Sequence, residues 1–273
     1  MRMRSPAPLV TLLFGAFLLG PLAGLADTSI SAAGSTALLS LMKAFATAYQ
    51  ASHPGVSISV TGGGSELGIA QVTAKAVDMG NSDILSTNPD LFDHKVAVIG
   101  FAVITNPSAG VTNLTKKQLQ DVYSGKVSNW KDVGGKDAKI VVINRPISSG
   151  TRAVFQKTIM GSLKLTETGG TLGENGTVVS AVTMTTGATT YATFSATRSK
   201  ERIVEISIDG VAPTDENVKS GEWPIWSYEH IYTNGPATSE VSRFIAFIHS
   251  GSAILKQLGY IPVGDMKISA TDR

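Results

Sequence analysis

"TSISAAGSTALLSLMKAFATAY", residues 28–49, passes from a short strand through a glycine turn into a segment with Leu38, Leu41, Met42, Phe45 and Tyr49 at helical spacing. A strand feeding a helix through a tight turn is the unit of α/β architecture. The unit recurs downstream. "VSISV" (56–60) alternates like a strand, and "TGGGSELG" (61–68) is a turn in which Ser65 is placed to cap a second helix, with Glu66 in its first turn. "VDMGNSDI" (77–84) reads as a short strand and loop, and "VAVIGFAVITN" (96–106) as a long buried strand. This order, β-α-β-α-β, predicts a parallel sheet with helices on its faces.

The rest of the chain carries a second such half, the two dividing near residue 105. Thr115 and Gln118 make a capping box, and Gly125 marks the end of that helix. "KIVVIN" (139–144) is a strand and "TRAVFQKTIMG" (151–161) a helix closed by Gly161. Residues 165–177, rich in glycine and threonine, read as surface loop. "ERIVEISIDG" (201–210) reads as a strand running into a turn and "HIYTNG" (230–235) as a strand. Residues 239–259 form helix with Val241, Phe244, Ile245 and Ile248 on one face. This last strand and helix could rejoin the first half, a return that periodicity alone does not prove.

Composition narrows the function. The start of the chain has Arg2 and Arg4, an apolar run from Leu9 to Leu19, then small residues, the three-part pattern of a secretory signal peptide cleaved after Ala26. Cleavage removes two of the 23 basic residues and none of the 21 acidic ones, so the mature chain is neutral. It has no electrostatic footprint for nucleic acid or an anionic membrane. There is no cysteine. Disulfides, thiol catalysis, cysteine metal sites and a lipidated cysteine are thereby excluded, so the expectation is a periplasmic protein without a lipid anchor.

Three turns lead from a strand into a helix with the same chemistry: "AGSTA" (33–37), "GGGSE" (62–66) and "SSGTR" (148–152). Helix starts expose unpaired N–H groups; glycine allows close approach and Ser or Thr adds a hydroxyl. Each alone is an ordinary cap. Together, with Arg145 and Arg152 flanking one, they point to a compact oxyanion. None is a nucleotide loop, since the Walker lysine is absent and Gly62, Gly64 and Gly68 miss the dinucleotide spacing. Nor is Ser149 in a hydrolase elbow, because "ISSGT" lacks the first glycine. The histidines at 53, 94, 230 and 249 are scattered, without metal spacing, and read as surface or structural residues. Asp83 is the acid of interest. A carboxylate in an anion site accepts the proton of hydrogen phosphate and repels fully ionised sulfate, and sites built on such a bond can discriminate by about 10⁴–10⁵-fold.

"GSTALLSLMKAFATAYQASHPGVSISVTGGGSELGI", "VDMGNSDI", "NRPISSGTRAVF", "IDGVAPTDENVKSGEWPIW" and "FIHSGSAILKQLGYIPV" occur in that order, and over nearly the whole mature chain they resemble the periplasmic phosphate-binding proteins of phosphate ABC transporters. The resemblance implies a type 2 periplasmic binding protein of two α/β domains, each a mostly parallel sheet flanked by helices, closing on one phosphate in the cleft between them. It implies domain 1 from residues 27–104 and 233–273, and domain 2 from 105–232, with crossings near Ile104–Asn106 and His230–Thr233. Carried over by motif, the phosphate ligands are Thr36, Ala37 (backbone N–H only), Ser65, Asp83, Arg145, Ser149, Gly150 and Thr151. Arg152 is left between ligand and helix face, and the stretch 173–196 follows the family pattern only loosely. The implied partners are inorganic phosphate and a membrane ABC permease, with no cofactor, metal or catalytic residue, and a monomer. Another tetrahedral oxyanion such as sulfate or molybdate, a secreted phosphatase, and an extracellular adhesion or scavenging role are the competing readings.

Overall fold

The computed structural model describes residues 28–198 and 200–268; the signal-peptide reading of residues 1–26 lies outside them. The first half forms as read. Strand β1 (Thr28–Gly34) leads to helix α1 (Leu39–Ser52), β2 (Val56–Thr61), α2 (Ser65–Thr73), β3 (Met79–Ser82) and the long β4 (Leu91–Thr105). β1 pairs in parallel with β2 on one side and β3 on the other.

In the second half β5 (Asn113–Leu114) precedes α3 (Lys116–Tyr123). Its capping box is complete, with Thr115 accepting from the Gln118 N–H and Gln118 accepting from the Thr115 N–H. β6 (Val141–Val142) is followed by α4 (Gly150–Phe155), which runs on as π-helix through Met160 to Gly161. The loop read over 165–177 is corrected: α5 starts at Asn175 and continues to Met184. Val178, Val179 and Val182 give it a buried face, an apolar stripe diluted in the sequence by threonine and glycine. Then come β7 (Ala188–Thr193) and the short α6 (Phe194–Thr197). The strand read over 201–210 is two, β8 (Val204–Glu205) against β4 and β9 (Ser207–Ile208) against β5. They diverge because Ile206 between them is buried and its N–H is held by the Val103 carbonyl. α7 (Asp215–Ser220), β10 (Trp226–Asn234), α8 (Ser239–Ser250) and α9 (Ser252–Gln257) complete the order.

Eight strands form one mixed sheet in the order β2-β1-β3-β10-β4-β7-β6, with β8 added on β4, and β5 and β9 pair apart from it. Parallel pairing holds its two flanks, β1 with β2 and β3, and β6 with β7. In the middle, β10 runs antiparallel to both β3 and β4, because β4 carries the chain out of the first half and β10 carries it back. Residues 96–105 of β4 are buried in unbroken succession, as expected of a central strand covered on both faces. The return continues into α8, whose Phe244 meets the Tyr49 ring of α1 edge-on at 5.3 Å. The apolar stripe read on α1 is entirely buried, each large side chain contributing about 1.5–3 kcal/mol relative to exposure. On the other side, Phe155 of α4 stacks on Tyr191 of β7 at 4.2 Å. That contact holds the end of α4 over the sheet, and at the start of this helix the candidate site lies.

Candidate anion-binding site

Asp83 stands one residue beyond β3 and is 1% exposed. Its backbone N–H donates to Ser65 Oγ at 2.9 Å. Its carboxylate accepts from Ser35 Oγ on one oxygen and from Thr151 Oγ1, at 3.1 Å, on the other. Burial pushes the Asp83 pKa up, opposed by the Ser35 and Thr151 hydroxyls and the Arg145 charge.

Ser65 is not a cap. The N-cap of α2 is Gly64, with φ +99°, and no side chain caps that helix. The left-handed turn at Gly64 makes Ser65 the first helical residue and turns its buried hydroxyl inward to Asp83. A side chain at Gly64 is excluded twice over, since a Cβ there would lie 2.4 Å from the Ser148 carbonyl oxygen. That carbonyl accepts from the Glu66 N–H at 3.3 Å, joining α2 to the segment before α4.

Arg145 is buried to 1%. Its Nη1 donates to Asn175 Oδ1 at 2.8 Å; its Nη2 donates to Thr36 Oγ1 and to the Gly173 carbonyl, each at 2.8 Å. Nε, equally enclosed, has no hydrogen-bond partner, so the guanidinium keeps a donor in reserve. Burial lowers the Arg145 pKa and the nearby Asp83 charge opposes that. Arg152 Nη1 donates to the Arg145 carbonyl at 2.7 Å, bracing the loop that carries Arg145. Ser149 is the N-cap of α4, accepting from the Arg152 N–H at 3.3 Å. Gly150 presses its bare Cα against the opposite wall, and Thr151 reaches Asp83. The N–H groups of Gly150 and Thr151, first in the helix, have no intrahelical acceptor.

The structure therefore gathers Ser65, Asp83, Gly150 and Thr151 in one contact set, with Arg145 and Thr36 joined beside it. Ala37 is different: its N–H already donates to Ser35 Oγ at 2.9 Å and its carbonyl accepts from the Tyr260 hydroxyl. Two residues escaped the sequence reading. Ser35 sits next to Thr36 in the same turn, and its hydroxyl was as legible as its neighbour's. Asn175 was hidden in the stretch read as loop; its Oδ1 accepts from Arg145 and, at 3.2 Å, from the Thr193 N–H, while its Nδ2 donates to Thr36 Oγ1 at 3.3 Å. Beside Thr36 opens a groove of about 330 Å³ lined also by Lys43, Glu174, Asn175 and Ser195.

Chemically this is one buried cation, several hydroxyl and amide donors, and one carboxylate acceptor. Charge-assisted donors of this kind suit a compact oxyanion, and the lone acceptor suits one that still bears a proton. Among the described residues no group of three or more His, Cys, Asp or Glu side chains could hold a metal ion.

Comparison with known proteins places the chain among relatives. Residues 22–252 match the family model of the PBP superfamily domain. The phosphate-binding protein PstS of Bacillus subtilis is 40% identical over 253 residues, spanning 89% of this chain and 84% of that protein. A Clostridium perfringens structure described as a phosphate ABC transporter substrate-binding protein with bound phosphate superposes with a TM-score of 0.80 at 31% identity, covering 86% of this chain and all of that one (100%). An ABC-type phosphate transport receptor from Vibrio cholerae gives a TM-score of 0.71 at 29% identity over 85% of this chain and 99% of that one.

Proposed function

Since the chain belongs to the PBP superfamily, among the substrate-binding proteins of phosphate ABC transporters, we propose that it is an extracytoplasmic receptor that binds one inorganic phosphate and delivers it to a membrane importer. The observation that carries this reading is the meeting of Arg145, Asp83, Ser65 and Thr151, drawn from separate segments, in one buried cluster. Thr36, Ser65 and Arg145, with the backbone N–H groups of Gly150 and Thr151, supply donors to the anion. Asp83 accepts its proton. Ser149 and Ala37 act through the turns they hold rather than through free side-chain donors.

The domain division we propose is residues 27–104 with 233–273 against 105–232, hinged on β4 and β10. In the open form phosphate enters the cleft beside Thr36. Closure brings the Arg145 loop and the start of α4 onto it, and the closed form is what a permease recognises. Hydrogen bonds to charged groups are worth about 1.5–3 kcal/mol each; several of them, after the costs of closure and desolvation, support micromolar or tighter binding. The protein acts as a monomeric receptor without catalysis or cofactor, in the periplasm after cleavage behind Ala26. Titration calorimetry tests the reading: phosphate binds at one site and sulfate at least a thousandfold more weakly. Equal affinities, or hydrolysis of a chromogenic phosphate ester, would overturn it.

A further inference from the structure

Glu229 is the acid for which neither the sequence reading nor the site described above finds a use. It lies in β10 and is 0% exposed. Ser227 Oγ donates to its Oε1 at 3.1 Å, while Oε2, fully enclosed, is met by no N–H or hydroxyl donor. A buried carboxylate oxygen without a donor is expensive; a protonated carboxyl is far less so.

Register shows what Glu229 faces. β10 pairs antiparallel with β3, His230 opposite Ser82 and Ile231 opposite Asn81. Continued one step past the end of β3, that register brings Glu229 to Asp83, and the two carboxyl groups meet side chain to side chain. Two carboxyl groups opposed in a buried site do not both ionise. Their surroundings decide which keeps the proton. Asp83 has two hydroxyl donors and the Arg145 charge to support an anion. Glu229 has one hydroxyl. The other titratable group felt from a packed element is Tyr260, whose hydroxyl is itself neutral and raised by burial and by both acids. From β4 the partner of Glu229 is Ala97, which is apolar. His230, next in the strand, points to the other face and is held by Asp93 at 2.7 Å.

We propose that Glu229 is a second acid of the anion site: it holds a proton and directs it at Asp83, so that the pair carries one negative charge and Asp83 remains the acceptor. Glu229 is thus a positioning residue. It steadies the Asp83 carboxylate and keeps the site from presenting two charges to an incoming anion. Burial first, and then the Asp83 charge, push the Glu229 pKa well above its usual range, in keeping with this assignment. The inference rests on the phosphate reading of the site for its consequence, but not for its proton.

The test separates the two. Infrared difference spectroscopy of phosphate-free protein at pH 7 shows a carboxylic-acid C=O band in the wild type that shifts in D2O and disappears in Glu229→Gln. Absence of a Glu229-dependent band overturns the inference, whatever the protein binds. In calorimetry with inorganic phosphate, Glu229→Leu binds about tenfold to a hundredfold more weakly, the worth of one hydrogen bond to a charged group. Glu229→Gln, which keeps a donor of the same size, recovers most of that loss. Wild-type affinity in Glu229→Leu also overturns it. A protein that shows the band yet binds no phosphate contradicts the functional proposal and leaves the proton assignment standing.

Discussion

A methyl group at position 150 has to share space with the opposite wall of the cleft. Built on the Gly150 backbone, its carbon stands 2.1 Å from Ser65 Oγ and 2.8 Å from Asp83 Cβ. The Ser65 hydroxyl can rotate away, but it is the acceptor for the Asp83 N–H, and Asp83 Cβ is fixed to the backbone. Overpacking of this degree costs about 1–3 kcal/mol, which at about 1.4 kcal/mol per decade is roughly fivefold to 150-fold in Kd. The two walls belong to different proposed domains, so the cost falls on the closed form. Gly150→Ala therefore weakens phosphate binding by that factor in calorimetry, while the thermal midpoint of the phosphate-free protein stays within about 1 °C of wild type. Wild-type affinity refutes the packing argument. A ligand-free protein destabilised to the same extent refutes the claim that the contact forms on closure.

Asp83→Asn removes the acceptor and its charge, so the preference for phosphate over sulfate narrows by about tenfold or more in competition calorimetry; an unchanged ratio removes Asp83 from the ligand. Thr115→Ala breaks the capping box of α3, at about 1 kcal/mol, and lowers the thermal midpoint by about 2–4 °C without altering phosphate affinity. Glu216 bonds Lys219 at 2.8 Å and Lys267 at 2.9 Å, which hold its pKa down at about 2 against 4.5. A depressed carboxylate contributes stability above its unfolded value and loses it as pH falls through the folded one. Thermal midpoints of Glu216→Gln and wild type therefore differ modestly above pH 4.5 and converge toward pH 2; a constant gap across that window contradicts the ion-pair origin.

What the sequence revealed followed the strength of local patterning. The α1 stripe, the Thr115–Gln118 box and the Gly161 stop were legible because each rests on neighbours a turn apart. α5 was missed because its valines are interleaved with Thr, Ser and Gly, and Asn175 went with it. The Ser65 cap failed for a different reason: Gly64 takes the boundary with a positive φ, and only the approach of Ser148 from a distant segment explains why glycine must be there. Glu229 left one trace, the single acid of its strand, whose meaning depends on a β3 register that no local rule supplies.

β4 and β10 are bonded to each other from Trp226 opposite Gly100 to Asn234 opposite Leu91, with one irregularity between Glu229 and His230. The two halves of this receptor are thus joined by a ladder, not by two independent threads. A ladder resists shear and free rotation and gives way chiefly by bending and twisting as a single leaf spring, most readily at its bulge. In the closure proposed above, the halves approach along essentially one path, with little freedom to misalign and little entropy to lose. The soft point of the spring sits beside the buried acid pair, so the mechanics of closing and the charge state of the site share one short stretch of strand.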